Sequence, residues 1–270
     1  MTSSKPVSAL QRGLAVLSVV SKRRRVSVSE VRGETGLDKA TIIRMLETLM
    51  HEGYVEKNPE DATYCVTGRT VDLGRGFAPH ARLVELVGPL MEELRTRIGW
   101  PSDFAVPDGD AMFIVETGEA SPIIAHRPPD YRPDFLLTSL GRAYLAFCAD
   151  EDQRRILDRI SGTSVPEAKD MLRDEAGMRK LFATIRERGY ATADVNYSRR
   201  LGSETILPMA VPVTDKKRVY GSVTLFFVRS SVSEEDAVRN YLPRLQAFSR
   251  KLMKSLAPER AGFASDAFTG

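Results

Sequence analysis

The stretch SVSEVRGETGLDKATIIRMLETLMHEG, residues 27–53, contains the local signals of two helices and of the turn between them. Ser27 and Glu30 are three residues apart, a spacing that predicts a capping box at the start of the first helix. Gly36 can end that helix, because glycine adopts the left-handed backbone conformation without strain. Asp38 then predicts the cap of a second helix. The stretch therefore predicts a helix, a tight turn and another helix.

The helix after Asp38 is amphipathic. Four apolar residues recur at i, i+3, i+4 and i+7, and we expect this stripe to pack inward: Ile42, Met45, Leu46 and Leu49. The opposite face carries small, basic and hydroxyl side chains: Lys39, Ala40, Thr41, Ile43, Arg44, Glu47 and Thr48. Such a face favours a helix that reads DNA in the major groove, although an ordinary solvent-exposed face is the alternative.

Outside this core stretch, the flanking residues complete a small domain. Residues 8–21 predict a helix that is capped by Ser8 and has an apolar stripe: Leu10, Leu14, Leu17 and Val20. After the third helix, GYVEK and ATYCVT flank the turn residues 58–61 and predict a hairpin. Three helices followed by a hairpin indicate a winged helix-turn-helix. That geometry also occurs in modules that bind only protein.

Net positive charge is concentrated at the amino-terminal end of the chain. Residues 1–46 carry nine Lys or Arg against three Asp or Glu, whereas residues 79–270 carry 27 of each, and the whole chain has a formal charge of +3. This asymmetry indicates a head that binds a polyanion. The candidate DNA-binding residues are Arg12, Arg23, Arg24, Arg25, Lys39, Ala40, Thr41, Ile43 and Arg44. For the basic run 22–25, a solvated turn is the alternative to phosphate contact.

Composition excludes several classes of protein. With 270 residues, 42% of them hydrophobic and 28% charged, the chain matches a globular protein of one or two domains. It shows no apolar run long enough to span a membrane and no signal peptide, so we expect a cytoplasmic protein without a membrane partner. Two cysteines and three distant histidines predict no metal site. Catalytic and cofactor-binding motifs are absent, so we expect neither an enzyme nor a cofactor.

The remainder of the chain predicts an α+β domain with an antiparallel sheet. A joining helix is expected at 79–98, after a flexible break at Gly74 and Gly76. Strand-like runs follow at SDFAVP, AMFIVET and PIIAH, and two more at ILPMAVPV and VYGSVTLFFV. Helices are expected at 139–148, 151–160, 175–188 and 233–256. The expected domains are 1–78 and 79–258, followed by a disordered tail at 259–270.

One helix start resembles an anion-binding site. Thr138 is placed to cap a helix whose first free amides belong to Ser139, Leu140 and Gly141, and the positive end of the helix dipole attracts a carboxylate. Gly141 has no side chain to obstruct a ligand. An ordinary capped core helix is the alternative.

Residues 7–76, from SALQRGLAVLSVV through SVSEVRGETGLDKATIIRMLETLMHEGYVEKNPEDATYCVTGRTVDLG, closely resemble the DNA-binding domain of the isocitrate lyase regulator (IclR) family. The resemblance implies a winged helix-turn-helix whose third helix enters the major groove of double-stranded operator DNA. It also implies a GAF-like effector-binding domain and a homodimer or homotetramer. RNA polymerase is a further partner that such a regulator can contact.

The effector domain of the family has a similar motif that opens with Thr or Ser, followed by Gly and a basic residue. Thr138, Gly141 and Arg142 match it, which implies Ser139 and Leu140 as backbone donors to a small organic acid. Asp194 matches an acidic pocket residue, although the stretch after it is longer than in relatives. Thr224 and Phe226 stand where relatives have serines, and Phe104 completes the effector-binding candidates.

With the run GRAYLAFC and Trp100, these features resemble the subgroup that governs catabolism of aromatic acids such as hydroxyphenylpropionate. The sequence therefore predicts a ligand-responsive transcriptional regulator that senses a small, aromatic organic acid. An enzyme with a winged-helix docking module is the alternative from another class. A constitutive regulator with a degenerate pocket is a further one.

Overall fold

The chain builds its hydrophobic cores in two units, Met1–Ala78 and Pro79–Gly270. The structure, a computed structural model, describes residues 6–73, 78–118, 131–215 and 218–257. Gly74, Gly76, the strand-like run PIIAH and the tail 259–270 lie outside the described residues.

The amino-terminal unit is a winged helix-turn-helix, as the sequence predicts. Its elements are α1 (Ser8–Ser21), α2 (Val28–Thr35), α3 (Lys39–His51), β1 (Val55–Lys57), β2 (Tyr64–Val66) and α4 (Arg69–Leu73). The capping box of Ser27 and Glu30 is present, Gly36 ends α2 at φ 67°, and Asp38 caps α3. These predictions are confirmed because each depends on residues only a few positions apart.

The wing is extended by the turn that precedes α2. Strands β1 and β2 pair antiparallel, with Glu56 opposite Cys65. On the other side of β2, Val26 exchanges two backbone hydrogen bonds with Tyr64, at 2.9 and 2.8 Å. The basic turn is thereby held against the wing.

Two predictions for α1 are wrong. Val7, and not Ser8, occupies the cap position, and no side chain caps the helix. Of the predicted stripe, Leu10 and Leu14 are 62% and 57% exposed. Val20 of the predicted stripe is fully buried and Leu17 packs against the core, and the other buried positions are Val16 and Val19, because α1 packs on α2, α3 and β2 along that face.

The carboxy-terminal unit combines helices with one antiparallel sheet. Its helices are α5 (Ala78–Ile98), α6 (Ser139–Phe147), α7 (Asp150–Ile160), α8 (Pro166–Arg173), α9 (Glu175–Arg188), α10 (Val195–Arg200), α11 (Glu234–Asn240) and α12 (Leu242–Leu256). Its strands are β3 (Ser102–Asp108), β4 (Ala111–Thr117), β5 (Ala191–Thr192), β6 (Ile206–Thr214) and β7 (Val219–Val228). Within the described residues the strand order is β4-β3-β7-β6-β5. The predicted α+β class with an antiparallel sheet is confirmed.

The two faces of this sheet are covered by different helices. Phe104, Val223 and Phe227 lie in a core with α5, α11 and α12, whereas Ala105 and Ala210 lie in another core with α6 and α9. We call the second side the α6 face. Any side chain on β3, β6 or β7 therefore belongs to one of two separate environments, depending on which way the strand turns it.

Some elements differ from the sequence-based expectation. The helix predicted at 233–256 is interrupted at Tyr241, because Pro243 has no amide hydrogen to continue the preceding helix and lies instead in the first turn of α12. The short elements α4, α8, β5 and α10 were not predicted from the sequence. Helix α10 occupies the stretch directly after Asp194, which caps it.

Candidate nucleic-acid interface and effector site

The outer face of α3 is available for contact with DNA. Lys39, Ala40 and Arg44 are exposed and Ile43 is partly exposed, whereas the core stripe on the other side includes the fully buried Ile42. Within the described residues, Arg44 forms no ion pair. A guanidinium that is exposed and not neutralised can donate two parallel hydrogen bonds to guanine.

Thr41 differs from its neighbours because its polar groups already serve the helix cap. Its hydroxyl donates to Oδ2 of Asp38 at 2.6 Å and its amide donates to Oδ1 at 2.9 Å. These hydrogen bonds hold the pKa of the Asp38 carboxyl below its usual range, the side-chain bond being the largest cause. The hydroxyl proton of Thr41 is thus used in the cap and not offered to a phosphate.

The basic run before α2 divides into paired and unpaired arginines. Arg23 donates to Glu30 at 3.0 Å and to Glu34 at 2.7 Å, and Arg25 forms an ion pair of 3.3 Å with Asp61 in the wing turn. The exposed Arg24 and Arg12 form no ion pair within the part of the chain that the structure describes. Arg23 and Arg25 therefore hold the turn to α2 and to the wing, while the other two offer free positive charge.

In the carboxy-terminal unit, the start of α6 is organised by two side chains. Thr138 accepts a hydrogen bond from the amide of Gly141 at 3.1 Å, which confirms the predicted cap, and its hydroxyl donates to the carbonyl of Asp134 at 2.7 Å. The Asp134 carboxylate accepts from the amides of Leu136 and Leu137, at 2.7 and 2.9 Å. Burial raises the pKa of Asp134. The loop 134–138 is thus wrapped tightly around the helix start.

The amides of Ser139 and Leu140 have no acceptor among the described residues. They are the first two amides of a helix, where intrahelical partners are missing, and both residues are only 3% exposed. Buried amides without an acceptor are costly, so this helix start favours an anion.

Gly141 has a different role from the expected one. A Cβ at this position would lie 2.3 Å from the Cα of Phe135 and 2.4 Å from the carbonyl oxygen of Asp134. The glycine is needed because the backbone of the preceding loop packs directly on α6. It therefore makes room for the protein's own loop, and the explanation that it leaves space for a ligand is corrected.

Arg142 and Asp194 form a buried ion pair across 52 residues of sequence. Arg142 donates to Oδ2 of Asp194 at 2.9 Å and to the carbonyl oxygens of Leu136 and Thr192, at 2.5 and 3.3 Å. Burial lowers the pKa of Arg142, and Asp194 opposes that effect. The other carboxylate oxygen of Asp194 accepts the amides of Asn196 and Tyr197 at the start of α10. Both residues therefore bind other parts of the protein through their polar atoms.

On the α6 face, the sheet brings together some of the remaining candidates and separates others. The hydroxyl of Thr224 lies 3.3 Å from that of Ser139, and Phe226 follows Thr224 on the same face. Phe104 belongs to the opposite core, with α5 and α12, and is not part of this cluster. Trp100 also lies there, 5.2 Å from Phe227 between ring centroids. The expected effector set is thus split by the sheet.

Asp103, a buried acid on the α6 face, is not among the residues predicted from the sequence. Asp103 is fully buried on β3 and is the direct register partner of Thr224 on β7. Thr117 donates a hydrogen bond of 2.8 Å to its carboxylate. An acidic residue inside the otherwise strand-like run SDFAVP is the sequence signal that could have indicated it.

Other candidate chemistries find no support in the described residues. They contain no group of side chains that could hold a metal ion, and none of their helices meets the length and hydropathy of a membrane span. Burial raises the pKa of the Cys148 thiol to about 12, which agrees with a small core residue and not with a reactive thiol.

Comparison with known proteins identifies both units. Residues 9–59 match the model of the IclR helix-turn-helix domain, and residues 77–254 match that of the bacterial transcriptional regulator IclR C-terminal domain. The chain belongs to the IclR family.

Relatives of this IclR protein include transcriptional regulators of several metabolic systems. It is 22% identical to the HTH-type transcriptional regulator XynR of Escherichia coli, over 93% of this chain and 97% of the relative. It is 24% identical to the Pca regulon regulatory protein of Pseudomonas putida, over 93% and 84% of the two chains. The fold is also that of an IclR homolog from Microbacterium hydrocarbonoxydans solved with 4-hydroxybenzoate, at a TM-score of 0.65, 19% identity, and coverage of 93% of this chain and 99% of that one.

The IclR protein is accordingly a ligand-responsive transcriptional regulator with a DNA-binding head and an effector domain. An enzyme with a winged-helix docking module is not favoured, because the matched families and the named relatives are transcriptional regulators. The names of the relatives refer to different systems, among them the Pca regulon and the glycerol operon.

Proposed function

We propose that this regulator reads its operator through the outer face of α3, with Arg44 as the base-reading residue. Arg44 is exposed, lies on the face opposite the core stripe and has no ion-pair partner in the described residues; this observation supports the proposal most directly. Ala40 and Ile43 offer apolar contacts to a thymine methyl group, and Lys39 and Arg24 contact phosphates.

The remaining residues of the DNA-binding set are proposed in supporting roles. Arg12 adds free charge on α1, whereas Arg23 and Arg25 shape the turn from which phosphates are contacted. Thr41 contributes through the cap of α3 and not through its hydroxyl.

The substitution Arg44→Ala tests the base-reading role of Arg44. Loss of a bidentate base contact should weaken binding to the operator by about 1–3 kcal/mol and have less effect on nonspecific DNA. Arg69→Ala is a matched control, because Arg69 lies outside α3 and its guanidinium lies 5.1 Å from the centroid of the Tyr54 ring. Equal losses on operator and nonspecific DNA would remove Arg44 from base reading.

One recognition helix contacts few base pairs, so we propose that the protein binds as a homodimer on two half-sites, and that dimers pair into tetramers. Effector binding then changes DNA affinity by favouring one spacing of the paired heads. Sedimentation of the protein with a one-site and a two-half-site duplex tests the stoichiometry. A single chain that binds the full operator as tightly as the assembled protein would contradict it.

Contact with RNA polymerase belongs to the same proposal and is tested by transcription in a purified system.

The effector we propose is an aromatic organic acid, which places the protein in the subgroup that controls aromatic catabolism. Its carboxylate lies on the amides of Ser139 and Leu140, and its ring lies against Phe226. The two buried amides without an acceptor support the carboxylate, and the aromatic side chain on the α6 face supports the ring. The related structure with 4-hydroxybenzoate and the Pca relative agree with this class of ligand.

Calorimetry with aromatic and aliphatic acids tests the effector. We expect aromatic acids to bind, and Phe226→Ser to weaken them more than it weakens aliphatic acids of similar length. Phe113→Ser on β4 is a control, since Phe113 packs against the other core. Binding of sugars alone, or an unchanged preference in Phe226→Ser, would contradict this proposal.

A further inference from the structure

A groove between α5 and α12 forms a cavity of about 430 Å³ in the carboxy-terminal unit. Its floor is apolar and contains the buried Leu94 and Phe248 together with the partly exposed Ile98. These residues pack with the core on the side of the sheet away from the α6 face. The groove is therefore separate from the proposed effector site, and its volume is in the range of small-molecule sites.

The rim of the groove carries an excess of positive charge. Three cations and one carboxylate line it: Arg97, Arg244, Lys251 and Glu93. Both oxygens of Glu93 already have partners, because Oε1 pairs with Arg97 at 2.9 Å and Oε2 with Lys251 at 2.5 Å. The hydrogen bond from Lys251 is the largest cause of a lowered pKa at Glu93, so this carboxylate stays ionised.

Arg244 is the cation of the groove whose donors are unused. Its side chain is exposed and makes no ion pair or hydrogen bond with any residue of the ranges 78–118, 131–215 and 218–257. On α12 it lies seven residues before Lys251, which is two helical turns or about 10 Å. The pair of Lys251 with Glu93 bridges the two helices at one end of the groove, and Arg244 offers a free guanidinium at the other end.

We propose that this groove binds an amphipathic monocarboxylate, that is, an organic acid with an apolar body about as long as the groove. The carboxylate of the acid accepts hydrogen bonds from Arg244, and its apolar body lies on Ile98 and Phe248. A neutral apolar molecule would leave the guanidinium without a partner, and a small inorganic anion would leave the floor in water. An acid with an apolar body satisfies both parts of the groove.

The test measures binding to the full-length protein by calorimetry with three probes. Octanoate has both the charge and the apolar body, octanol lacks the charge, and acetate lacks the apolar body. We expect octanoate to bind about tenfold or more tightly than either of the other two.

Four variants locate the binding site. Arg244→Ala should weaken octanoate by about threefold to tenfold, the range for a charged hydrogen bond at an exposed position. Arg250→Ala removes the same charge from an exposed position of α12 that does not line the groove, and should leave the affinity unchanged. Ala247→Trp fills the groove from an exposed lining position and should weaken octanoate by more than about tenfold. Phe226→Ser alters the α6 face and should leave octanoate binding unchanged.

Several results would refute the proposal. Equal losses in Arg244→Ala and Arg250→Ala would mean that only overall charge matters, and equal binding of octanol and octanoate would mean that the carboxylate is not recognised. A loss in Phe226→Ser with none in Arg244→Ala would place the acid on the α6 face, which refutes the groove site and leaves the proposed effector standing. If no probe binds and Ala247→Trp lowers the size of the assembly in sedimentation, the groove is an interface between copies of the chain.

Discussion

Gly141→Ala tests how the start of α6 is built, because the added methyl group meets backbone and not a flexible side chain. The new Cβ would lie 2.3 Å from the Cα of Phe135, 2.4 Å from the Asp134 carbonyl oxygen and 2.5 Å from the Phe135 carbonyl oxygen. Ordinary contacts between carbon atoms are about 3.5–4.0 Å, so the loop must move by more than about 1 Å. That movement disturbs the hydrogen bond from the Thr138 hydroxyl to Asp134.

The steric cost of the added methyl group should exceed the gain in helix propensity from alanine. Overpacking of this kind destabilises by roughly 1–3 kcal/mol net, although alanine is favoured over glycine inside a helix by up to about 1 kcal/mol. For a unit of this size, we expect the melting temperature to fall by about 2–12 °C. Trp100 is the single tryptophan and packs on Phe227, so its fluorescence in a urea or thermal titration reports unfolding of the carboxy-terminal unit.

Gly88→Ala is the matched control for this substitution. A Cβ at Gly88 in α5 would meet no atom within 4 Å, so the same change should leave stability unchanged or raise it by up to about 1 kcal/mol. If Gly141→Ala were as stable as the wild type, the close packing of the loop on α6 would be refuted.

Three further perturbations test other contacts. Asp194→Ala removes both the cap of α10 and the ion-pair partner of Arg142, so urea denaturation should show that the free energy of unfolding falls by about 2–3 kcal/mol. Asp174→Ala removes only the cap of α9 and should cost about 1 kcal/mol. Equal losses would mean that the ion pair adds no stability. Hydrogen bonds lower the pKa of Asp38, so its stabilising effect is present above the ordinary aspartate pKa of about 3.9 and is lost as pH falls through the lowered folded value. The difference in melting temperature between wild type and Asp38→Ala should therefore shrink on acidification, and a growing difference would refute the sign. Arg24→Ala should reduce the salt dependence of DNA binding by about one phosphate contact. Arg23→Ala should reduce it by less, because two glutamates of α2 already hold the Arg23 side chain. If both variants show the same slope of binding constant against salt concentration, this prediction is contradicted.

The DNA-binding head could be predicted closely because its signals are local. A capping serine and glutamate three residues apart, a glycine at a helix end and an apolar stripe of period 3.6 act through neighbours in the chain. Prediction failed in α1, where two apolar stripes were available. Packing on α2, α3 and β2 decided that Val16 and Val19 are buried while Leu10 and Leu14 are exposed.

The arrangement of the proposed effector site could be predicted only in part, because its residues meet through distant contacts. Thr138 and its cap follow from adjacent residues, whereas the partner of Arg142 lies 52 positions away. Which of Phe104 and Asp103 faces α6 depends on pairing between β3 and β7, and a shift of one residue in that register exchanges the two faces.

The sequence by itself determined the class of protein, the winged helix-turn-helix and the capped start of α6, since hydrophobic period, capping and charge act over a few residues. The tertiary structure alone decided which side of each strand faces α6, which arginines are neutralised and why Gly141 is required. Those outcomes depend on the register of strands and on loop packing, and these join segments far apart in the chain.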